Sequence, residues 1–379
     1  MAGDEATNVE LNSLSTIEDV EATAMHLLSP KALAYYASAT DDEITKAANH
    51  RIYQQIFLRP RALRDRQTPD LSTSFLGHRI GIPIYVSPAA MARLAHSDGE
   101  AGIAAACSSF DALQIISHNA SMTPTDIVRA GKPGQIFGWQ LYVLKDLPRT
   151  ESILARIRQI PEIKFLVLTL DAPFPGKRET DEQFKMREVV AGVPPPVWGT
   201  EAGLTWEKTL KWLTQHTSLP IVLKGIQTHE DACMATRYPC VKGIILSNHG
   251  GRALDTAPTP VQLLMEIQKF CPEVLQHLDV LVDGGIKRGT DVVKALALGA
   301  KAAGIGRLPL YGLAVGGQNG VEKTLEILAD ETKAAMTLLG VRRVRDLNMS
   351  HINARALESI LYDGPAGTMY DVERQLSKI

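Results

Sequence analysis

The sequence predicts an α/β fold, a closed (β/α)8 TIM barrel with an N-terminal helical extension. Eight short runs of β-branched and apolar residues, each followed by a helix-length segment, recur between residues 82 and 306. The runs are continuously apolar rather than alternating, as strands covered on both faces require. Length agrees. At 379 residues the chain could hold two or three average domains, but α/β barrels reach about 250 residues as one unit and grow by insertion.

Taken in order, strands are expected at residues 82–87 (IPIYVS), 113–117 (LQIIS), 137–143 (FGWQLYV) and 165–171 (FLVLTLD). The remaining four are 221–224 (IVLK), 243–247 (GIILS), 280–283 (VLVD) and 302–306 (AAGIG). Helices are expected at 98–109, 123–130, 150–159, 228–236 and 289–298, each opening at or near a Ser, Thr, Asp or Gly suited to capping. Residues 16–56 read as helical with a break at Ser29-Pro30. Residues 1–75 are therefore expected to form a layer packed on the barrel, 76–365 the barrel domain, and 366–379 a tail. The Pro/Gly-rich stretch 189–203 (VVAGVPPPVWGTEAG) follows strand four and serves either as an active-site lid or as a surface linker.

Composition narrows the function classes. Forty Lys and Arg against 42 Asp and Glu give a net charge of −2, with no basic footprint for nucleic acid or an anionic membrane. No apolar run approaches the ~18 residues of a membrane span. The acidic N-terminus lacks a basic then apolar leader, so neither secretion nor mitochondrial import is expected. Cys107, Cys233, Cys240 and Cys271 form no CxxC pair, which indicates no metal site and a reduced compartment. The terminal Ser377-Lys378-Ile379 differs from the peroxisomal SKL address only at its last residue. It is either such a signal or a chance tripeptide, and a cytoplasmic or peroxisomal location is expected. Partners are expected to be small molecules.

Barrel chemistry gathers at the C-terminal ends of strands. Read in order, these ends carry Pro88-Ala89-Ala90, Ser117, Gln140 with Tyr142, Thr169 with Asp171, Lys224, Ser247-Asn248-His249, Asp283-Gly284-Gly285 and Gly306-Arg307. Strands seven and eight end in DGG and GIGR. Tight turns alone explain one glycine pair, but recurrence at the two strands where barrels bind phosphate favours a phosphate site. No GxGxxG opens a Rossmann unit and no P-loop occurs, which weighs against nicotinamide dinucleotides and ATP and leaves a mononucleotide such as FMN. In SNHGGR, His249 can move a proton near neutral pH and Arg252 can fork a carboxylate, while two glycines let the backbone pass close to a planar ring. Asp171 either orients His249 or caps the loop before Pro173. Lys224, buried at the end of strand five, needs either an anionic flavin or an acidic side chain as partner.

These residues resemble the FMN-dependent 2-hydroxy acid oxidising family, which includes glycolate oxidase, lactate oxidase and the flavin domain of flavocytochrome b2. The resemblance runs roughly over residues 34–340. SNHGGR (247–252), DGGIKRGTDVVKALALGA (283–300) and QLYV (140–143) are its most specific parts, supported by LTLDAP, GKRETD, YYAS and AHSDGE. It implies that His249 is the active-site base, paired with Asp171. It further implies that Arg252 and Arg178 hold the substrate carboxylate, that Tyr35 adds a hydrogen bond to it, and that Tyr142 meets the reacting oxygen. Lys224 would face the flavin N1/C2 carbonyl edge. Ser117, Gln140, Thr169, Ser247, Asp283, Gly284, Gly285, Lys287, Gly306 and Arg307 would bind FMN, with Ala89 and Ala90 giving backbone contacts. Tyr35 and Arg178 emerge only from the resemblance. A homotetramer or larger assembly is likewise implied.

The chain departs from the family pattern in places. Ala39 stands where a Gly is common, Ser97 where a Pro is, Ala253 where a Gln is, and Lys287 where an Arg is, which removes a planar fork. Asn119 replaces a bulky cavity residue, and loop four is shorter than in many relatives. The expected activity is FMN-dependent oxidation of an L-2-hydroxy acid to the 2-keto acid. Because the helical segment occupies the residues ahead of the barrel, the acceptor is expected to be oxygen or a separate electron acceptor. Two alternatives are an FMN enzyme acting on another carboxylate such as a cyclic amine, and a flavin-free phosphate-binding barrel.

Overall fold

Eight parallel strands close into a barrel, and each lies on one of the eight apolar runs. The computed structural model describes residues 10–64, 67–191 and 199–364. The tail expected at 366–379, its terminal tripeptide and part of the 189–203 stretch fall outside these residues. The strands are β1 (Ile84–Val86), β2 (Leu113–Ile116), β3 (Phe137–Leu141), β4 (Ile163–Thr169), β5 (Ile221–Ile226), β6 (Val241–Leu246), β7 (Asp279–Asp283) and β8 (Ala302–Ile305). They pair in sequence, and β8 closes on β1 through Ala303 opposite Ile84. Register sets polar residues level at the upper rim: Thr169 lies opposite Lys224, and Asp283 opposite Gly304.

Two apolar cores hold this arrangement. The larger fills the space between strands and surrounding helices, and a smaller one inside the barrel includes Tyr85, Leu113, Ile115, Phe165, Val167, Val222, Ile245 and Leu281. A two-stranded hairpin, Thr73–Phe75 with His78–Ile80, plugs the lower end. Its Phe75 ring packs edge-on against Phe165 at 5.2 Å, and the Leu76 N–H donates to Asp279 Oδ2 at 2.7 Å. With the bottom stoppered by aromatics, the polar groups are left at the strand C-termini.

The N-terminal layer is α1 (Ile17–Leu27), α2 (Pro30–Ala37) and α3 (Ile44–Gln54). Thr16 and Asp19 form a capping box at the start of α1, and Ser29 caps α2 with Pro30 in its first turn. The sequence anticipates the break at Ser29-Pro30 but not a second one at residues 38–43, where Asp41 and Glu43 take left-handed φ of 49° and 59°. There α3 lacks a local side-chain cap. Instead Asp255, from the loop after β6, accepts from the Ile44 and Thr45 amides at 3.2 and 2.8 Å. Such a cap cannot be read from local sequence because it arrives from about two hundred residues away.

The connecting helices used below are α4 (Gly99–Ser109), α5 (Pro124–Ala130), α6 (Leu147–Ile157) and α7 (Glu179–Val190). Helix α6 starts three residues before the expected Thr150 because Asp146 provides the cap, accepting from the Arg149 amide at 3.1 Å. The end of the 189–203 stretch is tied to the loop after β3, since Lys145 N–H donates to the Gly199 carbonyl and Glu201 N–H to the Val143 carbonyl, both at 2.8 Å.

Candidate active site

The centre of the barrel mouth is a buried polar cluster. His249 follows β6 in a turn where His249, Gly250 and Gly251 all have left-handed φ of 58°, 64° and 76°. That conformation is costly for a histidine and is typical of a functional position. It brings His249 Nδ1 to 2.9 Å from Asp171 Oδ1, at the end of β4. The Asp171 side chain is fully buried while His249 keeps 24% of its side chain exposed, so the imidazole can face a ligand from a fixed anchor.

Lys224 is the second arm of the cluster. Its Nζ donates to Ser247 Oγ at 2.9 Å and lies 3.7 Å from Asp171 Oδ2 and 3.9 Å from Asp283 Oδ2. Both alternatives drawn for Lys224 are therefore available at once: it has acidic neighbours, yet neither is in close contact. Burial alone would raise the Asp171 carboxyl, but Lys224 and His249 together hold it below the usual carboxylate range. Asp171 thus remains an anion beside the imidazole. A polar chain runs around the neighbouring rim. Ser117 Oγ donates to Gln140 Oε1 at 3.0 Å, and Gln140 Nε2 donates to Thr169 Oγ1 at 3.0 Å.

Three guanidiniums crowd the upper edge. Arg178 and Arg252 both stack on the Tyr35 ring, each with its guanidinium carbon 5.3 Å from the centroid. Arg178 Nη2 pairs with Asp181 Oδ2 at 2.8 Å, leaving Arg178 Nη1 buried with no partner. Arg252 Nη1 donates to the Tyr36 and Ser38 carbonyls at 3.2 and 3.0 Å. Arg307 donates to the same two carbonyls and to Gly250 O. Burial, followed by repulsion from Arg178 and Arg307, presses the Arg252 pKa down to about 9. A carboxylate set among these cations would relieve that pressure.

Several glycines have a different role from the one expected. A Cβ on Gly285 would run into the Asn49 carbonyl, and one on Gly251 would meet the Lys46 amide nitrogen at 2.7 Å. Both let α3 approach the rim, so the second glycines of GG and DGG serve helix packing. Gly306 differs, with open space around the Cβ position. The close approach of α3 is completed by a reciprocal amide pair, Asn49 with Asn248, at 2.8 Å in both directions. Lys287 is not drawn into the cluster: its Nζ is 2.5 Å from Glu21 on α1. Ala89 and Ala90 follow β1 on the rim, and Tyr142 lies buried just past β3. Asn119 is exposed in the loop after β2.

Residues 24–354 match the family described as FMN-dependent dehydrogenase. The chain belongs to that family. Relatives within the FMN-dependent dehydrogenases include an L-lactate dehydrogenase (cytochrome) of Wickerhamomyces anomalus, 38% identical over 92% of this chain and 63% of its own length. A 2-hydroxyacid oxidase of Dictyostelium discoideum is 37% identical over 90% of this chain and 91% of its own. The chain spans 63% and 66% of the two cytochrome-type lactate dehydrogenases it matches. Among solved structures, a flavocytochrome b2 variant with sulfite bound superposes with a TM-score of 0.87 at 35% identity, covering 97% of both chains. A mandelate oxidase variant with (S)-mandelic acid gives 0.79 at 33% identity over 90% of this chain and 98% of that one.

The mouth fits the FMN of this family. Asp171 Oδ2, Asp283 Oδ1 and Arg178 Nη1 are buried polar atoms without hydrogen-bond partners, which is costly unless a bound group completes them. Free space at Gly306 beside Arg307 suits a phosphate. Among the described residues no group of three or more His, Cys, Asp or Glu could hold a metal, and no helix is long and apolar enough to cross a membrane. Three residues of the site region were not singled out from sequence: Asn49, His118 and Asp181. Asn49 and His118 act through partners well separated in the chain, whereas Asp181 pairs with Arg178 three residues before it, inside the GKRETD motif that carries the local signal.

Proposed function

We propose that the protein oxidises an L-2-hydroxy acid to the corresponding 2-keto acid with FMN, the flavin being reoxidised by oxygen or a separate acceptor. The observation that carries this reading is the hydrogen-bonded His249–Asp171 pair, its carboxylate buried and its imidazole on the same loop after β6 as Arg252, which shares the Tyr35 ring with Arg178.

Arg178 and Arg252 bind the substrate carboxylate. Arg178 uses the unpartnered Nη1, and Tyr35 lies within cation–π reach of both cations while its hydroxyl adds a hydrogen bond. Tyr142 meets the reacting oxygen; burial raises its phenol pKa well above the ordinary value, so it stays a protonated donor. Oxidation removes two protons and two electrons from the hydroxy acid. His249 takes one proton, and Asp171 holds the ring and stabilises the imidazolium. When bound, FMN would supply the sink for the two electrons and the second proton. Ser117, Gln140, Thr169 and Ser247, with Asp283, Gly284 and Gly285, would hold its ring and ribityl chain, Lys224 its carbonyl edge, and Gly306 with Arg307 its phosphate. Ala89 and Ala90 would contact it through backbone, and Lys287 would reach it only by leaving Glu21.

The named relatives act on lactate, 2-hydroxy acids and mandelate, which supports a hydroxy acid over a cyclic amine. A homotetramer or larger assembly, and a cytoplasmic or peroxisomal location, belong to the same proposal. Sedimentation and the location of a tagged chain test them. The activity is tested by supplying glycolate, lactate, longer 2-hydroxy acids and cyclic amino acids in air, with peroxide and an artificial acceptor both monitored. Turnover with an L-2-hydroxy acid is expected. Turnover confined to the amines would overturn the reading.

A further inference from the structure

Tyr142 sits one residue beyond the end of its strand. Pairing of β3 with β4 ends at Leu141 opposite Leu168, and pairing with β2 ends at Trp139 opposite Ile116. The Tyr142 amide is therefore past both ladders, although its residue is buried. A buried amide without an acceptor is costly. Its acceptor is a side chain: the Tyr142 N–H donates to His118 Nδ1 at 3.3 Å. The His118 ring also meets the Tyr142 ring edge-on, with centroids 5.8 Å apart at 78°.

We propose that His118 is a positioning residue for the oxidation, holding Tyr142 at the reacting oxygen through the amide-to-imidazole hydrogen bond and the edge-on ring contact. This rests on the reading of Tyr142 given above. His118 can fix a neighbour because it is itself fixed. Its own N–H donates to Gln140 Oε1 at 3.2 Å, which ties it into the Ser117–Gln140–Thr169 chain. Its other surroundings are not a filled core but a cleft also lined by Ser121, Trp139, Ile153 and Arg156. Filling space would not require an imidazole there, whereas accepting from a main-chain amide requires a lone pair. Nδ1 supplies one only while the ring is neutral with its proton on Nε2. Burial, and then the charge of Arg149, push the His118 pKa down to about 4, consistent with that state.

The test compares His118→Phe, which keeps a ring but removes the acceptor, with His118→Asn, which restores an acceptor, using Tyr142→Phe as reference. H118F is expected to lower kcat at least about tenfold, to change KM much less, and to weaken the shift of the flavin spectrum on pyruvate titration. H118N is expected to stay within about threefold of wild type, and H118F/Y142F to be no slower than Y142F alone. Wild-type kcat in H118F alongside an impaired Y142F overturns the role of His118 and leaves the Tyr142 reading intact. An unimpaired Y142F overturns the Tyr142 reading and this one with it. Should H118F fail to fold, H118A replaces it: equal kcat in H118A and H118N overturns the proposal, and a tenfold gap in favour of H118N supports it.

Discussion

His249 and Asp171 meet at 2.9 Å across the barrel mouth, one from the turn after β6 and the other from the end of β4. The carboxylate is fully buried and held ionised by Lys224 and His249 against the cost of burial. His249→Gln is expected to lower kcat by about 100-fold or more, the ordinary worth of a positioned base, while the protein stays yellow. Asp171→Asn should approach the same loss because the imidazolium loses its anionic partner. Steady-state rates with flavin content measured on the same samples check both.

Arg178 and Arg252 both lie 5.3 Å from the Tyr35 ring centroid. Replacing either with Lys keeps the charge but removes the fork. KM for the hydroxy acid should rise about 10- to 100-fold, with kcat less affected. Initial-rate kinetics over a range of substrate concentrations measure the split.

Lys224 stands between Asp171 and Asp283. Lys224→Met leaves two buried carboxylates without their cation, and breaking a buried pair in this way costs about 3–5 kcal/mol. A lower melting temperature and weaker FMN retention are expected, read by thermal unfolding and by fluorescence titration of the apoprotein with FMN.

Two rim glycines should behave differently. Gly285 has φ of 80° and faces the Asn49 carbonyl, so Gly285→Ala is expected to destabilise the fold by more than ~1 kcal/mol. Gly306 has an ordinary φ and open space, so Gly306→Ala should fold normally and lose FMN affinity instead. Denaturant midpoints and FMN titration separate the two effects.

The His118 pKa of about 4 lies below the ordinary histidine value of 6.5 because of burial and Arg149. Between those values the unfolded chain binds the extra proton and the folded one does not. Stability from this group is thus complete above about pH 6.5 and is lost as pH falls toward 4, by up to ~3 kcal/mol. H118N should flatten this part of the stability profile, as measured by urea unfolding at pH 7 and pH 5.

The barrel was legible because each strand is an uninterrupted apolar run, and the rim was legible because every run ends in a polar residue or glycine. His249, Asp171, Lys224 and Arg252 could be placed that way. Tyr35 and Arg178 could not, since one lies on an N-terminal helix and the other at the start of α7, and no local pattern says that both meet Arg252. The sequence reads Gly251 as clearance for a planar ring and Gly285 as part of a phosphate-cradling turn, but in the fold a Cβ at either position would meet α3, whose start is capped by Asp255. Lys287 was read as a flavin contact, whereas in the fold it reaches Glu21. Contacts between segments hundreds of residues apart leave no spacing signature.

The central claim is that the barrel mouth joins FMN to a hydroxy acid through His249. Anaerobic mixing of the purified FMN-bound protein with a limiting amount of an L-2-hydroxy acid tests it most directly. The account predicts bleaching of the oxidised flavin with one 2-keto acid formed per flavin, and no bleaching on the same timescale in H249Q. Unbleached wild-type flavin across glycolate, lactate and longer L-2-hydroxy acids, or equal bleaching in H249Q, would contradict it.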